Sequence, residues 1–209
     1  MTPLPLITTE LHGGIIAIQQ LLKTIGIGDT LTVFAGVARD AARGEPWKQI
    51  GPPADRNDAL SRRQLGTAVL LERNLRNVAT PERAREITAA IVHAASLVFL
   101  KNNVPVIRKK ELLAMTPSRQ KRYLRGIADK FFNADADLTL EGDTRLLFTV
   151  RCCRFVELIE SIGEPGMATL FCEGDRDFFA NHQPEIIFER PEKLSDGGQI
   201  CDFQFCWKE

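Results

Sequence analysis

All five cysteines of this 209-residue chain lie in its last third, and their neighbours make them candidates for covalent chemistry. They are Cys152, Cys153, Cys172, Cys201 and Cys206. Cys152 and Cys153 stand between Arg151 and Arg154, and nearby positive charge favours the thiolate, the reactive form of cysteine. The competing interpretation is that cysteine is among the most buried residue types and packs as a small apolar side chain.

Carboxylates accompany the other thiols, in the runs Cys172-Glu173-Gly174-Asp175 and Cys201-Asp202. A thiol beside a carboxylate combines a nucleophile with a group that can accept its proton. Cysteine and aspartate also bind metals, but Cys153, Cys172 and Cys201 are far apart in sequence and form no C-x-x-C pair. A metal site assembled from distant segments stays open at this point. Walker A, G-x-G-x-x-G, G-x-S-x-G and H-E-x-x-H motifs are absent from the sequence.

The overall charge of the chain excludes one class of partner. It carries 27 basic and 27 acidic side chains, so no global field attracts a nucleic acid. The segment Ala89–Leu100, taken as the longest apolar stretch, is too short to cross a membrane, and no secretory signal precedes it. An odd number of cysteines does not suit a disulfide framework. We therefore expect a cytoplasmic protein with reduced thiols, with neither nucleic acid nor membrane as partner.

The elements that must position these residues divide the chain into two parts. Up to about Phe132 the apolar residues recur every three or four positions, which predicts helices. The first helix begins near Thr9, ends near Gly26 and Gly28, and has one apolar face. Thr80-Pro81 and Thr116-Pro117 predict two further helix starts. That apolar face comprises Leu11, Ile15, Ile18, Leu22 and Ile25.

From residue 133 onward alternation replaces the helical period, and the pattern predicts strands, short helices and a closing hairpin. One helix is expected from Arg154 to Ile162 and another from Glu164 to about Phe179. Two strands, 186–189 and 200–207, are expected to join across Asp196-Gly197-Gly198. The prediction is a single α+β domain, 1–209, whose helical part, 1–132, packs on a small antiparallel sheet formed by 133–209.

One set of residues in the C-terminal part forms a recognisable pattern. It comprises Val150-Arg151-Cys152-Cys153-Arg154-Phe155-Val156-Glu157, Gly163, Phe171-Cys172-Glu173-Gly174-Asp175, Pro184, Arg190, Gly198 and Cys201-Asp202-Phe203. In these residues the chain resembles the L-2-amino-thiazoline-4-carboxylic acid hydrolase family. It differs from the family at four positions, where Cys152, Phe155, Pro191 and Gln204 replace the usual Arg, Tyr, Thr and Arg.

The resemblance implies a hydrolase that opens a small cyclic amidine, isothiourea or amide bearing a carboxylate. Water opens the ring to give an N-carbamoyl amino acid, which requires a nucleophile, a carboxylate for the cationic amidine and an arginine for the substrate's carboxylate. The matched thiols are Cys153, Cys172 and Cys201, with Cys201 as first choice, and the carboxylates are Asp175 and Asp202. Asp202 is expected on the amidine, and Arg154 or Arg190 on the anion. No cofactor is expected.

Two other functions use the same residues. One is a non-catalytic small-molecule-binding or scaffold protein on the same fold, which the replaced Arg and Tyr positions favour. The other is a metal-dependent enzyme with Cys and Asp ligands. Whether the chain forms a homo-oligomer is left open by the sequence.

Overall fold

The computed structural model describes residues 4–164 and 166–209, and within them the chain has the α+β architecture that the change of periodicity predicts. Helices occupy mainly the first part of the chain and strands the second. The helices are α1 Leu4–Ala42, α2 Arg56–Leu75, α3 Pro81–Asn103, α4 Lys109–Leu113, α5 Pro117–Ala128, α6 Arg154–Ser161, α7 Met167–Leu170 and α8 Gly174–His182. The strands are β1 Ala134–Glu141, β2 Arg145–Cys153, β3 Ile186–Glu192 and β4 Cys201–Trp207.

Local sequence signals account for where several helices begin. The side chain of Asp55 accepts a hydrogen bond from Asp58 N at 2.7 Å and caps α2. The hydroxyl of Thr80 accepts from Arg83 N at 3.3 Å, with proline as the first residue of α3. Helix α5 starts at a second Thr-Pro pair, so both predicted Thr-Pro starts are confirmed.

Helix α1 differs from the prediction in what surrounds it. Gly26 is non-helical (φ 77°, ψ 175°) and bends α1 where the sequence predicted an end. Leu21 and Val33 are buried against α2 and α3. Four of the five residues in the predicted apolar face, Leu11, Ile15, Ile18 and Leu22, are instead exposed. Periodicity shows which residues share a face, but it does not show whether the protein covers that face.

Within residues 4–164 and 166–209, one helical region is long and apolar enough to cross a membrane by length and composition, the part of α1 from Ile7 to Ala42. Its mean hydropathy reaches 1.4 over 18 residues, and 22% of that 18-residue stretch is buried. The expectation of no membrane partner rested on Ala89–Leu100 and did not consider this longer segment. One such helix is weak evidence of membrane insertion, since core helices and N-terminal signal sequences pass the same test.

The strands form one antiparallel sheet of order β1-β2-β4-β3. The strands β2 and β4 are therefore inner strands, and β3 and β4 form the predicted hairpin. One face of the sheet packs against the helices, since Phe148 and Val150 of β2 and Phe205 of β4 belong to the main apolar core with residues of α2, α3 and α5. Residues of the opposite parity, such as Asp202 and Cys206, point to the other face.

The segment between β2 and β3 is more broken than the sequence suggested. The single helix expected from Glu164 to Phe179 is two helices, α7 and α8, separated by the turn Phe171–Glu173; Pro165 lies outside the described residues. Gly174 begins α8 directly against α3, where a Cβ on Gly174 would collide with Ser96 Oγ. That close packing brings the residues around Gly174 to the edge of the core.

Candidate functional site

A small cavity lies between the inner face of the sheet and helices α2, α3, α5 and α8. Its volume is about 130 Å³, and its wall is mostly apolar, with eight phenylalanines. A cavity of this size suits a single small ring, because an engineered apolar cavity of about 150 Å³ holds benzene. The aromatic wall residues are Phe99, Phe131, Phe148, Phe155, Phe171, Phe179, Phe203 and Phe205.

Three cysteines from three elements line this cavity: Cys153, Cys172 and Cys201. Cys153 is the last residue of β2 and the residue that precedes α6. Cys172 lies in the turn before α8, and Cys201 begins β4. The topology thus joins thiols that are distant in sequence, since β2 and β4 are neighbours in the sheet and Val150 pairs with Cys201.

The one ionisable carboxyl group in the cavity wall belongs to Asp175, among the described residues. Arg190 Nη1 donates to Asp175 Oδ2 at 2.6 Å, and Arg190 Nη2 donates to the Cys172 carbonyl at 3.2 Å. The side chains of Arg190 and Asp175 are only 10% and 16% exposed. Burial raises the pKa of Asp175 to about 6, although the charge of Arg190 opposes the rise. This carboxyl group therefore changes its charge near neutral pH.

Arg190 reaches Asp175 from an irregular edge strand. The pairing of β3 with β4 shifts between Glu189 and Glu192, which marks a bulge at Arg190 and Pro191. Proline is tolerated at a bulge of an edge strand because the ladder needs no hydrogen bond from it there. The guanidinium also lies 5.2 Å from the ring centre of Phe203, which lines the cavity. Arg190 thus stands behind Asp175 without lining the cavity itself.

The sequence model of the L-2-amino-thiazoline-4-carboxylic acid hydrolase family matches residues 65–205, from the middle of α2 to near the end of β4. The chain belongs to this family. The match extends the resemblance seen around the cysteines back through the helices that cover the cavity. No curated protein and no solved structure matches the chain.

In this family member the cavity thiols are not thiolates at rest. Burial raises the pKa of Cys153, of Cys172 and of Cys201. A hydrogen bond from the Cys152 thiol to Glu157 at 2.7 Å, together with burial, raises the pKa of Cys152 to about 11. The expectation that Arg151 and Arg154 favour thiolates at Cys152 and Cys153 is therefore wrong, because burial and Glu157 outweigh them. All five cysteines are free, as predicted.

Cys153 nevertheless has the surroundings that best support a thiolate during a reaction. Its sulfur accepts a hydrogen bond from Asn133 Nδ2 at 3.9 Å. The backbone amides of Phe155 and Val156 also act to lower the pKa of Cys153, although its side chain makes no capping hydrogen bond to α6. The Cys172 thiol instead donates to a carbonyl, Ala168 O, at 3.7 Å. Donation to a carbonyl keeps that thiol protonated.

Cys201, the first choice from the sequence, has a different surrounding. It is 6% exposed, and its sulfur accepts the amide hydrogen of Leu194 at 3.2 Å. Leu194 begins the short 3₁₀ turn Leu194–Asp196 that connects β3 to β4. Cys201 therefore fixes this connection as well as lining the cavity.

Two predicted site residues lie elsewhere. Asp202 faces away from the cavity, as strand alternation requires of the neighbour of Cys201, and accepts from Gln204 Nε2 at 2.7 Å. Arg154 donates to Asp55 Oδ2 at 3.0 Å and is not in the cavity wall. Among the described residues no group of three or more His, Cys, Asp or Glu side chains is placed to hold a metal ion. No metal ligand set can therefore be named.

The sequence did not predict the phenylalanines of the wall or its three neutral polar residues, Gln64, Ser96 and Asn133. Alternation on β2 and β4 places Phe148, Phe203 and Phe205 on one face, but nothing in the sequence indicates that the space between them is empty. A second cleft, of about 390 Å³, lies under α1. Gln64, Ser96 and Phe171 line both spaces, so the cleft adjoins the cavity.

Proposed function

We propose that this protein is a hydrolase that opens a small cyclic amidine, isothiourea or amide bearing a carboxylate. The observation that carries the proposal is the convergence of Asp175 and three thiols on one cavity in a member of this family. The volume of about 130 Å³ suits a five-membered ring. The apolar wall lowers the local dielectric constant, which strengthens electrostatic contacts inside.

Asp175 is proposed to bind the cationic amidine and to move the proton. With a pKa of about 6, its carboxylate form predominates at neutral pH, and it can still accept a proton. Arg190 lies behind Asp175, and its positive charge is no longer balanced once Asp175 takes up a proton. That charge attracts the carboxylate of the substrate. Arg190 is therefore a positioning residue for Asp175 and for the substrate's carboxylate.

Cys153 is proposed as the nucleophile. Asp175 takes the thiol proton, and the sulfur of Cys153 bonds to the amidine carbon while the ring bond from that carbon to sulfur breaks. The departing sulfur takes the proton from Asp175 and leaves as a thiol. Water then adds to the same carbon, the Cys153 sulfur leaves with a proton, and the product is an N-carbamoyl amino acid. The amides at the start of α6 favour the transient thiolate.

The direct test is turnover of 2-amino-thiazoline-4-carboxylate, followed by mass spectrometry of the N-carbamoyl product. Related cyclic amidines, thiazolines and lactams should be assayed in parallel. We expect turnover of at least one ring, and a covalent adduct on Cys153 under rapid quenching. The proposal would be ruled out if none of these compounds gave turnover and none gave a thermal shift.

A second function is favoured by one observation, the raised pKa of each cavity thiol. Thiols that remain protonated suit a non-catalytic binding protein for a small ring. Such a protein would show a thermal shift with the ring compounds, no product, and no effect of Cys153→Ser on binding.

A further inference from the structure

We propose that the exposed apolar face of α1 binds the same face of a second copy of this chain, which makes the protein a homodimer. The α1 stripe, defined as Leu11, Ile15, Ile18 and Leu22, lies on the side of α1 away from α2 and α3. The proposal concerns a surface remote from the thiols, and it does not rest on the proposed chemistry.

The extent of the exposed face is the first argument. Seven large aliphatic side chains of α1 are exposed: Ile7 37%, Leu11 65%, Ile15 53%, Ile18 44%, Leu22 42%, Ile27 71% and Leu31 64%. The four residues of the α1 stripe present on the order of 400 Å² of surface, within the roughly 300–600 Å² of the largest apolar patch on a monomer, which is often functional. That area is about half of the ~800 Å² that each partner buries in a standard interface, so the stripe would form its centre.

The spacing of the stripe is the second argument. Its residues follow one another at intervals of four, three and four, the pattern by which two helices pack side by side along a seam. The segment from Leu11 to Leu22 contains no Asp, Glu, Lys or Arg, so nothing repels an identical helix. A surface that is self-complementary in this way suits a twofold interface, where the same patch meets itself.

A membrane is a poorer occupant of the same face. The opposite side of α1 is held by the protein, since Leu21 and Val33 are buried and Glu10 pairs with Arg63 at 2.6 Å. Spanning a bilayer would require these contacts to break, and Gly26 interrupts the helix. A helix lying on an anionic membrane surface usually carries many basic residues on its polar side. Lys23 and Arg39 are the only Lys or Arg between residues 7 and 42.

The test compares the full chain with a variant carrying Ile15→Glu and Leu22→Glu, by sedimentation equilibrium from about 1 to 100 µM. We expect wild type to sediment at twice the chain mass of 23.3 kDa. The variant should be monomeric over the same range, with a dissociation constant raised at least about a hundredfold, because two buried carboxylates would face an apolar seam. Both positions are exposed, so far-UV circular dichroism should be unchanged.

Ser118→Glu with Lys121→Gln is the matched control, because it changes the net charge equally at exposed positions of α5. It should leave the dimer intact. A dimeric Ile15→Glu, Leu22→Glu variant would show that another surface pairs, and a monomeric wild type would overturn the proposal. Co-sedimentation of wild type with phosphatidylcholine and phosphatidylglycerol vesicles, without a lipid-free dimer, would assign the face to a membrane instead.

Discussion

Arg190 donates to Asp175 across 2.6 Å from a bulge in the edge strand, and both side chains are nearly buried beside the cavity. A charge pair withdrawn from water stabilises a fold poorly unless its geometry is good, whereas loss of one partner is costly. The pair is thus better explained by the function of the cavity than by stability.

Asp175→Asn should lower turnover more than any other carboxylate substitution on the sheet or α8. Removing a charge-assisted contact and a proton acceptor costs about 2 to 3 kcal/mol or more, which corresponds to roughly thirtyfold or greater. Asp202→Asn is the matched control, because Asp202 lies on the opposite face of the sheet, and it should retain turnover within about twofold. Equal losses in the two variants would contradict the placement of the site.

The pH dependence of stability should show the raised pKa of Asp175. In the folded protein the pKa of this carboxyl group is about 6, above its ordinary value of 3.8. Between these values the folded state binds more protons than the unfolded state, so stability falls as pH rises. The free energy of unfolding of wild type, minus that of Asp175→Asn, should decrease by up to about 3 kcal/mol between pH 4 and pH 7. Urea titrations at several pH values measure the difference, and a flat difference would be inconsistent with a raised pKa.

Turnover should depend on the same ionisation. If the Asp175 carboxylate takes the thiol proton, kcat/KM should rise through about pH 6 and level off above pH 7. Arg190 lowers the pKa of Asp175, so Arg190→Gln should move the midpoint to higher pH. A merely structural role for Arg190 would reduce activity without moving this midpoint.

Substitution of the cysteines should separate chemistry from packing. Cys153→Ser should abolish covalent adduct formation and turnover with little change in melting temperature. Cys201→Ser should lower the melting temperature, because Cys201 is buried and accepts the Leu194 amide. Cys206→Ser, on the same strand but the other face, is the control and should change neither quantity. Full turnover in Cys153→Ser would assign the attack to another group or to water.

The path of α1 over α2 should depend on Gly36. A Cβ at Gly36 would collide with the Asn74 side chain of α2, whereas one at Gly28 would meet nothing within 4 Å. Gly36→Ala should therefore destabilise the fold by about 1 to 3 kcal/mol. Gly28→Ala should be neutral or slightly stabilising, because alanine is the better helix former. Chemical denaturation of both variants tests the pair.

The sequence predicts the fold where local signals act alone. The Thr-Pro helix starts, the strand alternation and the closing hairpin depend on residues adjacent in sequence, and all are found. The division of the helix after Glu164 was missed, because it depends on how Gly174 approaches Ser96 of α3. The exposure of the α1 stripe was also missed, since amphipathic spacing is the same whether the covering surface is internal or a partner.

The candidate site was predictable in composition and not in electrostatics. Family motifs bring Cys153, Cys172, Asp175 and Cys201 to notice, and the structure places them on one cavity. The charge state of a thiol depends on its depth, which neighbouring arginines in the sequence do not reveal. Arg154, for example, is adjacent to Cys153 in sequence, but its guanidinium group is directed away from the cavity and donates to Asp55.

The sheet order has a consequence for the synthesis of the protein. Of the four strands of this sheet, β4 is made after the other three, yet it is an inner strand between β2 and β3. Until it emerges, β2 presents an unpaired edge, and the wall formed by Phe203 and Phe205 is missing. The nascent chain therefore holds β1 and β2 as an incomplete sheet while residues 154–200 are made. Chaperones that shield unpaired strands would act in this interval.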